Sequence, residues 1–296
     1  MSQPIVTAAG SPVTTATGGT ALTSTQVANL LTRPLEAASY FLASGPRIFD
    51  SAGPLRLPSA PVENTTLAFT GEAELIPEET PTFGEVTLLP STMKSVKVIT
   101  RYSNELARQS VVALEAALRD RLVRDVANKI DRAAFGNAGD GTTEPMGLFK
   151  WANTAADVAV GGKLTVDKLL AAQGTLLAEN VDPNSLRVFI RPEDYTNLRS
   201  EKATADGRYQ LQPDATKGGV GTVLGMGVTV TSHIPVGFGA VCDMSQVAVA
   251  RDLAPSVMVL TERYADYDEQ AIRVVARYDW KPINPKGIVK LTGITK

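Results

Sequence analysis

The sequence nearly lacks the residues from which metal and nucleophile sites are commonly built, with one histidine (His233) and one cysteine (Cys242) among 296 residues. One cysteine excludes an intrachain disulfide, and one of each excludes the usual zinc sets. Cys242 lies in an apolar stretch, Ala240 to Val249, and reads as a buried, inert thiol. A serine triad through His233 has no support, since Ser232-His233-Ile234-Pro235 reads as a strand end. No apolar run approaches 18 residues and no basic residue precedes Arg33, so neither a spanning helix nor a cationic signal start is visible. The formal charge of -2 and pI near 5.6 argue against a general nucleic-acid or anionic-membrane binder. Lysine is absent until Lys94, and residues 1 to 32 carry no charged side chain.

That uncharged start is rich in Thr, Ala, Ser and Gly, with little to bury, and predicts an arm ordered only where it lies on something else. Pro34 to Phe49 is more apolar and predicts a short helix at the edge of the core, ended by Gly53-Pro54. Val62 to Phe69 and Phe83 to Leu89 read as the strands of a long hairpin whose tip runs from Gly71 to Pro81, and Met93 to Tyr102 reads as its continuation. Between Val62 and Pro90 stand Glu63, Glu72, Glu74, Glu78, Glu79 and Glu85 without one Lys or Arg. They lack the alternating spacing of a calcium loop, and a tip facing solvent or a partner is the stronger reading. A two-stranded ribbon is marginal alone in water, so this one needs another surface, such as a neighbouring molecule's.

The stretch from Ser103 to Gly147 organises the rest. Val111, Leu114, Leu118, Leu122, Val126, Ile130 and Ala133 recur at steps of three and four, the signature of one helix face. Glu115 with Arg119, Asp120 with Arg124 and Asp125 with Lys129 are acid-before-base pairs four apart, each worth ~0.3 kcal/mol on an exposed helix. Such a helix would be a rod of roughly 50 Å, longer than a compact core requires. It runs into Gly136-Asn137-Ala138-Gly139-Asp140-Gly141-Thr142-Thr143-Glu144-Pro145-Met146-Gly147, which reads as a helix stop and carries too few acids for a metal turn.

Further on, Thr165 to Glu179 predicts a helix with Thr165 as N-cap and Leu169, Leu170, Leu176 and Leu177 as its apolar contacts. Leu186 to Ile190 reads as a strand, Pro192 to Ser200 as a short helix, and Glu201 to Gly221 as a polar, glycine-rich loop. Val228 to Thr231, Ala240 to Arg251, Val257 to Thr261 and Gln270 to Tyr278 read as strands. The run Gly218 to Gly227 invites a phosphate-loop reading but matches neither GxGxxG nor GK[ST], and a turn entering the strand at Val228 is favoured. Helices and strands mix without a βαβ repeat, so the fold class is α+β. No convincing catalytic site is present, and no cofactor is called for.

The order of these parts resembles the major capsid proteins of tailed bacteriophages with the Hong Kong 97-type fold. The resemblance rests on the acidic hairpin, Ser103-Asn104-Glu105-Leu106 opening the long helix, and GNAGDGTTEPMG closing it. It continues in Arg191-Pro192-Glu193-Asp194-Tyr195 through Leu198, then Asp206-Gly207-Arg208-Tyr209, Leu224-Gly225 and Val228. The strand Ile272-Arg273-Val274-Val275-Ala276-Arg277-Tyr278-Asp279 is similar to the family's returning strand. Each motif is weak by itself, but their order and spacing over residues 33 to 292 are specific.

The resemblance implies an N-terminal arm and lead-in (1–53), an extended hairpin called the E-loop (54–92), and a P domain strand with spine helix (93–147). An A domain (148–249), strands returning to the P domain (250–282) and a C-terminal segment (283–296) follow. It implies self-assembly of hexamers and pentamers into an icosahedral head enclosing double-stranded DNA, a virion component assembled in the host cytoplasm. A portal and a possible decoration protein would be partners, and so would a separate scaffolding protein if Met1 is the genuine start, since about a hundred residues before the spine helix leave no room for a large fused scaffolding segment. An encapsulin-like compartment shares the fold, and a monomeric acid/base hydrolase is the alternative of another class. Some family members link an E-loop lysine to an asparagine of a neighbour; here no lysine precedes Lys94 and no asparagine lies between Asn197 and Asn284, so that crosslink is not expected. The expected inter-subunit contacts are Glu72, Glu74, Leu75, Ile76, Glu78, Glu79 and Phe83 at the hairpin tip. Arg108, Arg119, Arg121 and Arg124 of the spine helix are the candidate basic partners.

Overall fold

The computed structural model describes residues 35, 38–58, 69–72, 84–89, 95–105, 114–153, 155–201, 221–252 and 256–295. Three sheets meet on one apolar core. The largest has six strands in the order β5-β14-β9-β6-β8-β7, formed by β5 (Val158–Gly162), β6 (Leu186–Ile190), β7 (Thr222–Val223), β8 (Met226–Val230), β9 (Phe238–Asp243) and β14 (Ile288–Ile294). The second is β1 (Arg47–Asp50), β10 (Val247–Arg251) and β13 (Tyr278–Pro282), in that order. The third is β11 (Ser256–Leu260), β12 (Glu269–Ala276) and β4 (Val96–Ser103), all antiparallel.

Two long strand predictions each split between sheets. Ala240 to Arg251 is β9 and β10, parted by a single turn at Met244–Gln246 that Asp243 caps by accepting from the Ser245 amide at 2.9 Å. Gln270 to Tyr278 is β12 and the start of β13, parted at Arg277. In both cases the chain passes from one sheet to another, so the apolar run continues while the hydrogen-bonding partner changes. The strand predicted over Met93 to Tyr102 is present as β4, but it pairs with β12 and not with the hairpin, and Ser103 ends this strand. No strand was read at Ile288–Ile294, yet β14 lies inside the six-stranded sheet, parallel to β5 and antiparallel to β9.

The long helix is α2 (Leu114–Ala134), the described part of the predicted rod; its 21 residues span about 31 Å. Leu122, Val126, Ile130 and Ala134 are buried against Ile272 and Val274 of β12, as the periodicity requires, with Leu118 and Ala133 half-buried. Below it, rings link the elements: Phe41 meets Phe135 at 5.7 Å and Trp280 at 5.5 Å between centroids, and Phe135 meets Phe189 of β6 at 5.2 Å. The helix predicted in Pro34 to Phe49 is the short α1 (Tyr40–Ala43), followed by β1. Asp131 of α2, fully buried, fixes it by accepting from Ser39 Oγ at 2.6 Å and from the Tyr40 and Phe41 amides at 2.9 and 3.1 Å.

The second predicted helix is α3 (Val166–Ala178), covering one face of the six-stranded sheet with Leu169 and Leu176. Leu170 and Leu177 face outward instead, 54% and 44% exposed, because they sit one residue further round the helix. Thr165 occupies the N-cap position without a side-chain bond; Glu201, just after α4 (Pro192–Ser200), accepts from the Val166 amide at 3.1 Å in its place. The glycine run enters a tight β7–β8 hairpin whose central residues Leu224 and Gly225 both have positive φ (52° and 78°), the geometry of a two-residue turn and not of a phosphate loop.

Candidate inter-subunit surfaces

Hairpin pairing is observed at its root. β2 (Leu55–Pro58) runs antiparallel to β3 (Glu85–Leu88), so the partner of the predicted 83–89 strand begins earlier than Val62. Leu88 and Leu89 are buried against Ala248 and Ala250 of β10, with Phe49, Leu55, Leu57 and Val86 packed around them. Two side chains of β13 hold the exit of β3. Asp279 accepts from the Leu89 amide at 2.8 Å and from its neighbour's amide, Trp280 N, at 2.9 Å, while Lys281 donates to the Thr87 carbonyl at 2.8 Å. Burial pushes the Asp279 carboxyl above the ordinary carboxylate range, against the pull of those two amides. The root is therefore fixed to the core.

One hairpin glutamate has a cation within the root itself: Glu85 is 3.3 Å from Arg56 across β2 and β3. Glu72 is exposed. Glu74, Leu75, Ile76, Glu78, Glu79 and Phe83 lie outside the described residues, as do Glu63 and most of the predicted Val62 to Phe69 strand. Among the spine-helix candidates, Arg108 and the Arg119 side chain lie outside the described residues, whereas Arg121 and Arg124 are exposed on α2. Asp125 is 3.8 Å from Arg121, four residues before it, and so pairs with the opposite neighbour to the one predicted. Both side chains are more than half exposed, so the pair adds little stability.

The turn after α2 is a built joint. Asp140 accepts from the amides of Thr142, Thr143 and Glu144 at 2.8 to 3.1 Å and from Thr143 Oγ1 at 2.7 Å, which holds its carboxyl far below the ordinary range. The loop folds back so tightly that a Cβ on Gly147 would sit 2.0 Å from the Gly136 carbonyl oxygen. This close approach is what the glycines at both ends of the run permit. At the base, the Met146 carbonyl accepts from two indoles, Trp151 Nε1 at 3.0 Å and Trp280 Nε1 at 2.8 Å, using both lone pairs. The joint thereby ties the end of α2 to β13 and so to the hairpin root. The sequence pattern located this joint without its indole partners, which lie up to 134 residues away.

The outward face of the third sheet went unremarked in the sequence, although plain alternation along β4 marks it. Lys97, Ile99 and Arg101 are exposed on β4, and Arg273 of β12 lies between Ile99 and Met258 in register. Asp50 and Arg251 close the other small sheet with a two-pronged pair, Nε–Oδ1 2.5 Å and Nη2–Oδ2 2.9 Å, and the guanidinium bond holds the Asp50 carboxyl below its usual range. No cluster of three or more potential metal ligands occurs among the described residues, and Cys242 is fully buried with its thiol pushed up by desolvation.

A family model described as the phage capsid family matches residues 19–293, over nine-tenths of the chain. The chain belongs to the phage capsid family. Solved shells share the capsid fold of this protein. A chain titled as the capsid of a native GTA particle computed with C5 symmetry aligns with TM-score 0.69 and 16% identity over 100% of this chain and 96% of its own. A chain from Microbacterium phage Oxtober96 gives 0.69 and 18% over 87% and 91%, and one from Mycobacterium phage Cain gives 0.63 and 17% over 96% and 99%. No curated protein matches the capsid sequence. The α+β architecture, with its long helix laid on a small antiparallel sheet, is that of Hong Kong 97-type capsids.

Proposed function

We propose that this chain is the major capsid protein of a tailed phage or phage-derived particle, the subunit that closes into the head shell. The observation that carries it is the family match over residues 19–293, together with a hairpin whose root is clamped to the core. In this reading 1–53 is the arm and lead-in, 54–92 the E-loop, and 93–147 with 250–282 the P domain. Residues 148–249 form the A domain, and the 283–296 segment contributes β14 to its sheet. The work is structural and calls for no catalytic group or cofactor. Hexamers and pentamers of the chain enclose double-stranded DNA without base-specific contacts, with a scaffolding protein and a portal as partners and assembly in the host cytoplasm.

Each hairpin lies on a neighbouring subunit, where its carboxylates meet cations and its Leu75, Ile76 and Phe83 meet apolar groups. Permanent interfaces of this kind bury above about 2,000 Å², enough at about 25 cal/mol per Å² to offset the ordering of an extended segment. The test is expression with the neighbouring genes of its genome followed by negative-stain microscopy. Closed, DNA-containing particles support the phage head, and closed particles filled with a cargo enzyme instead would favour a nanocompartment.

A further inference from the structure

Arg187 is the one charged residue of β6, a strand whose other members are buried and which runs between β9 and β8 inside the six-stranded sheet. Its register partners are Gly227 and Cys242, so neither neighbouring strand sets a carboxylate opposite it. The guanidinium lies over Gly227, where a Cβ would come 3.6 Å from Nη1. Arg187 is half-buried, yet it makes no hydrogen bond and no ion pair among the described residues. Arg251 and Arg191 differ, the first being met by Asp50 and the second by the carbonyls of Ser232 and Ile234. The acid beside Arg187 in register, Asp243 opposite Leu186, accepts from the Ser245 amide at 2.9 Å instead. A cation drawn partly out of water without a partner is costly until an anion meets it.

Arg187 borders a cavity of about 240 Å³ where four segments meet: Ser44 at the end of α1, the single turn Pro183–Ser185 before β6, β8 at Gly227, and the turn Met244–Gln246 between β9 and β10. Ser44 and Ser185 already donate their hydroxyl hydrogens, to the Phe41 and Asp182 carbonyls at 2.6 and 2.8 Å. Ser245 Oγ makes no hydrogen bond among the described residues, and Asn184 Nδ2 gives one hydrogen to Asp182 Oδ1 at 3.0 Å and keeps the other. The unmatched hydrogens on these walls are thus those of a guanidinium, a hydroxyl and an amide. We propose that this cavity binds a phosphate group, with Arg187 as its fork and Ser245 and Asn184 as further donors. A phosphate presents acceptor oxygens in several directions and so meets donors on separate walls, whereas a planar carboxylate would satisfy the fork alone. Size agrees, since the cavity is smaller than the roughly 300 Å³ at which sites for drug-sized ligands begin. The site stands apart from the shell reading and holds or fails without it.

The test is a phosphorus NMR titration of the full chain with inorganic phosphate, chloride being varied to hold ionic strength constant. Saturable binding at one site per chain is expected, with a dissociation constant of about 1 mM, weakened about ten-fold or more by Arg187→Gln. Arg187→Lys should recover part of the affinity by keeping the charge without the fork. Absence of saturable binding would overturn the proposal, as would binding that Arg187→Gln leaves unchanged. If Arg187→Gln lowers the melting of the chain, Ser245→Glu decides, since a carboxylate set into the cavity should abolish binding and wild-type affinity there would sink the site. A short DNA duplex added to the phosphate-loaded chain separates the two sources of the group. Displacement of phosphate by the duplex assigns the site to the nucleic-acid backbone, and retention of phosphate assigns it to the free ion or a small phosphorylated molecule.

Discussion

Single carboxylates do much of the fastening between distant segments, and they differ in what pH does to them. Asp131 is fully buried and accepts three hydrogen bonds from the lead-in, so Asp131→Ala leaves a hydroxyl and two amides unpaired. We expect a loss of about 2–4 kcal/mol in urea unfolding of the subunit, and a smaller loss for Asp131→Asn. Asp279 has its folded-state carboxyl raised by burial, so the folded form gains relative stability as pH falls from neutrality toward the ordinary carboxylate range. Asp279→Asn removes that gain; the stability gap between wild type and variant should widen from pH 7 to pH 5, and a gap that narrows would contradict the assignment. Asp140 is the reverse case: its depressed carboxyl contributes stability that is present above the ordinary carboxylate range and is lost progressively as pH falls below it. The roles of Asp131 and Asp279 could not be read from sequence, because an Asp in a helix or a strand carries no mark of a partner about 90 or 190 residues away.

Among elements, the long helix was the most legible, since a face of Leu122, Val126 and Ile130 at helical spacing stays a face whatever it packs against. The strands were legible as apolar runs but not as partners, and the runs that cross from one sheet to the next show why. The apolar pattern in Ala240 to Arg251 reports burial, and burial lapses only at Ser245 and Gln246 before resuming at Val247. Leu170 and Leu177 of α3 failed for a related reason: Leu-Leu pairs at 169–170 and 176–177 cannot both point inward, and the sequence alone does not choose. The closing turn was placed correctly from its glycines, and it yields a sharp expectation. In Gly147→Ala the new methyl would meet backbone, not a movable side chain, so we expect about 3 kcal/mol or more of destabilisation or failure to accumulate soluble protein. Gly174→Ala, on an exposed face of α3 with open space around it, should be neutral or stabilising by up to about 1 kcal/mol in the same measurement.

For the whole molecule, the features that a lone subunit does not explain are the run of hairpin glutamates without a base and the exposed Lys97, Ile99 and Met258 on the outward face of the third sheet. The hairpin's charge was legible as composition, whereas the sheet face required knowing that β4 pairs with β12. Because no lysine lies in the hairpin, the account expects shells held without covalent links, so particles boiled in detergent should run as single chains near 31.3 kDa, and a ladder resistant to reductant would refute this. The central claim is assembly itself. Sedimentation velocity of the chain produced with its neighbouring genes, checked by microscopy of the fast-moving peak, tests it most directly. The account predicts one fast, homogeneous species of closed shells, and a chain that stays a small, stable monomer or dimer at high concentration with those gene products present would contradict it.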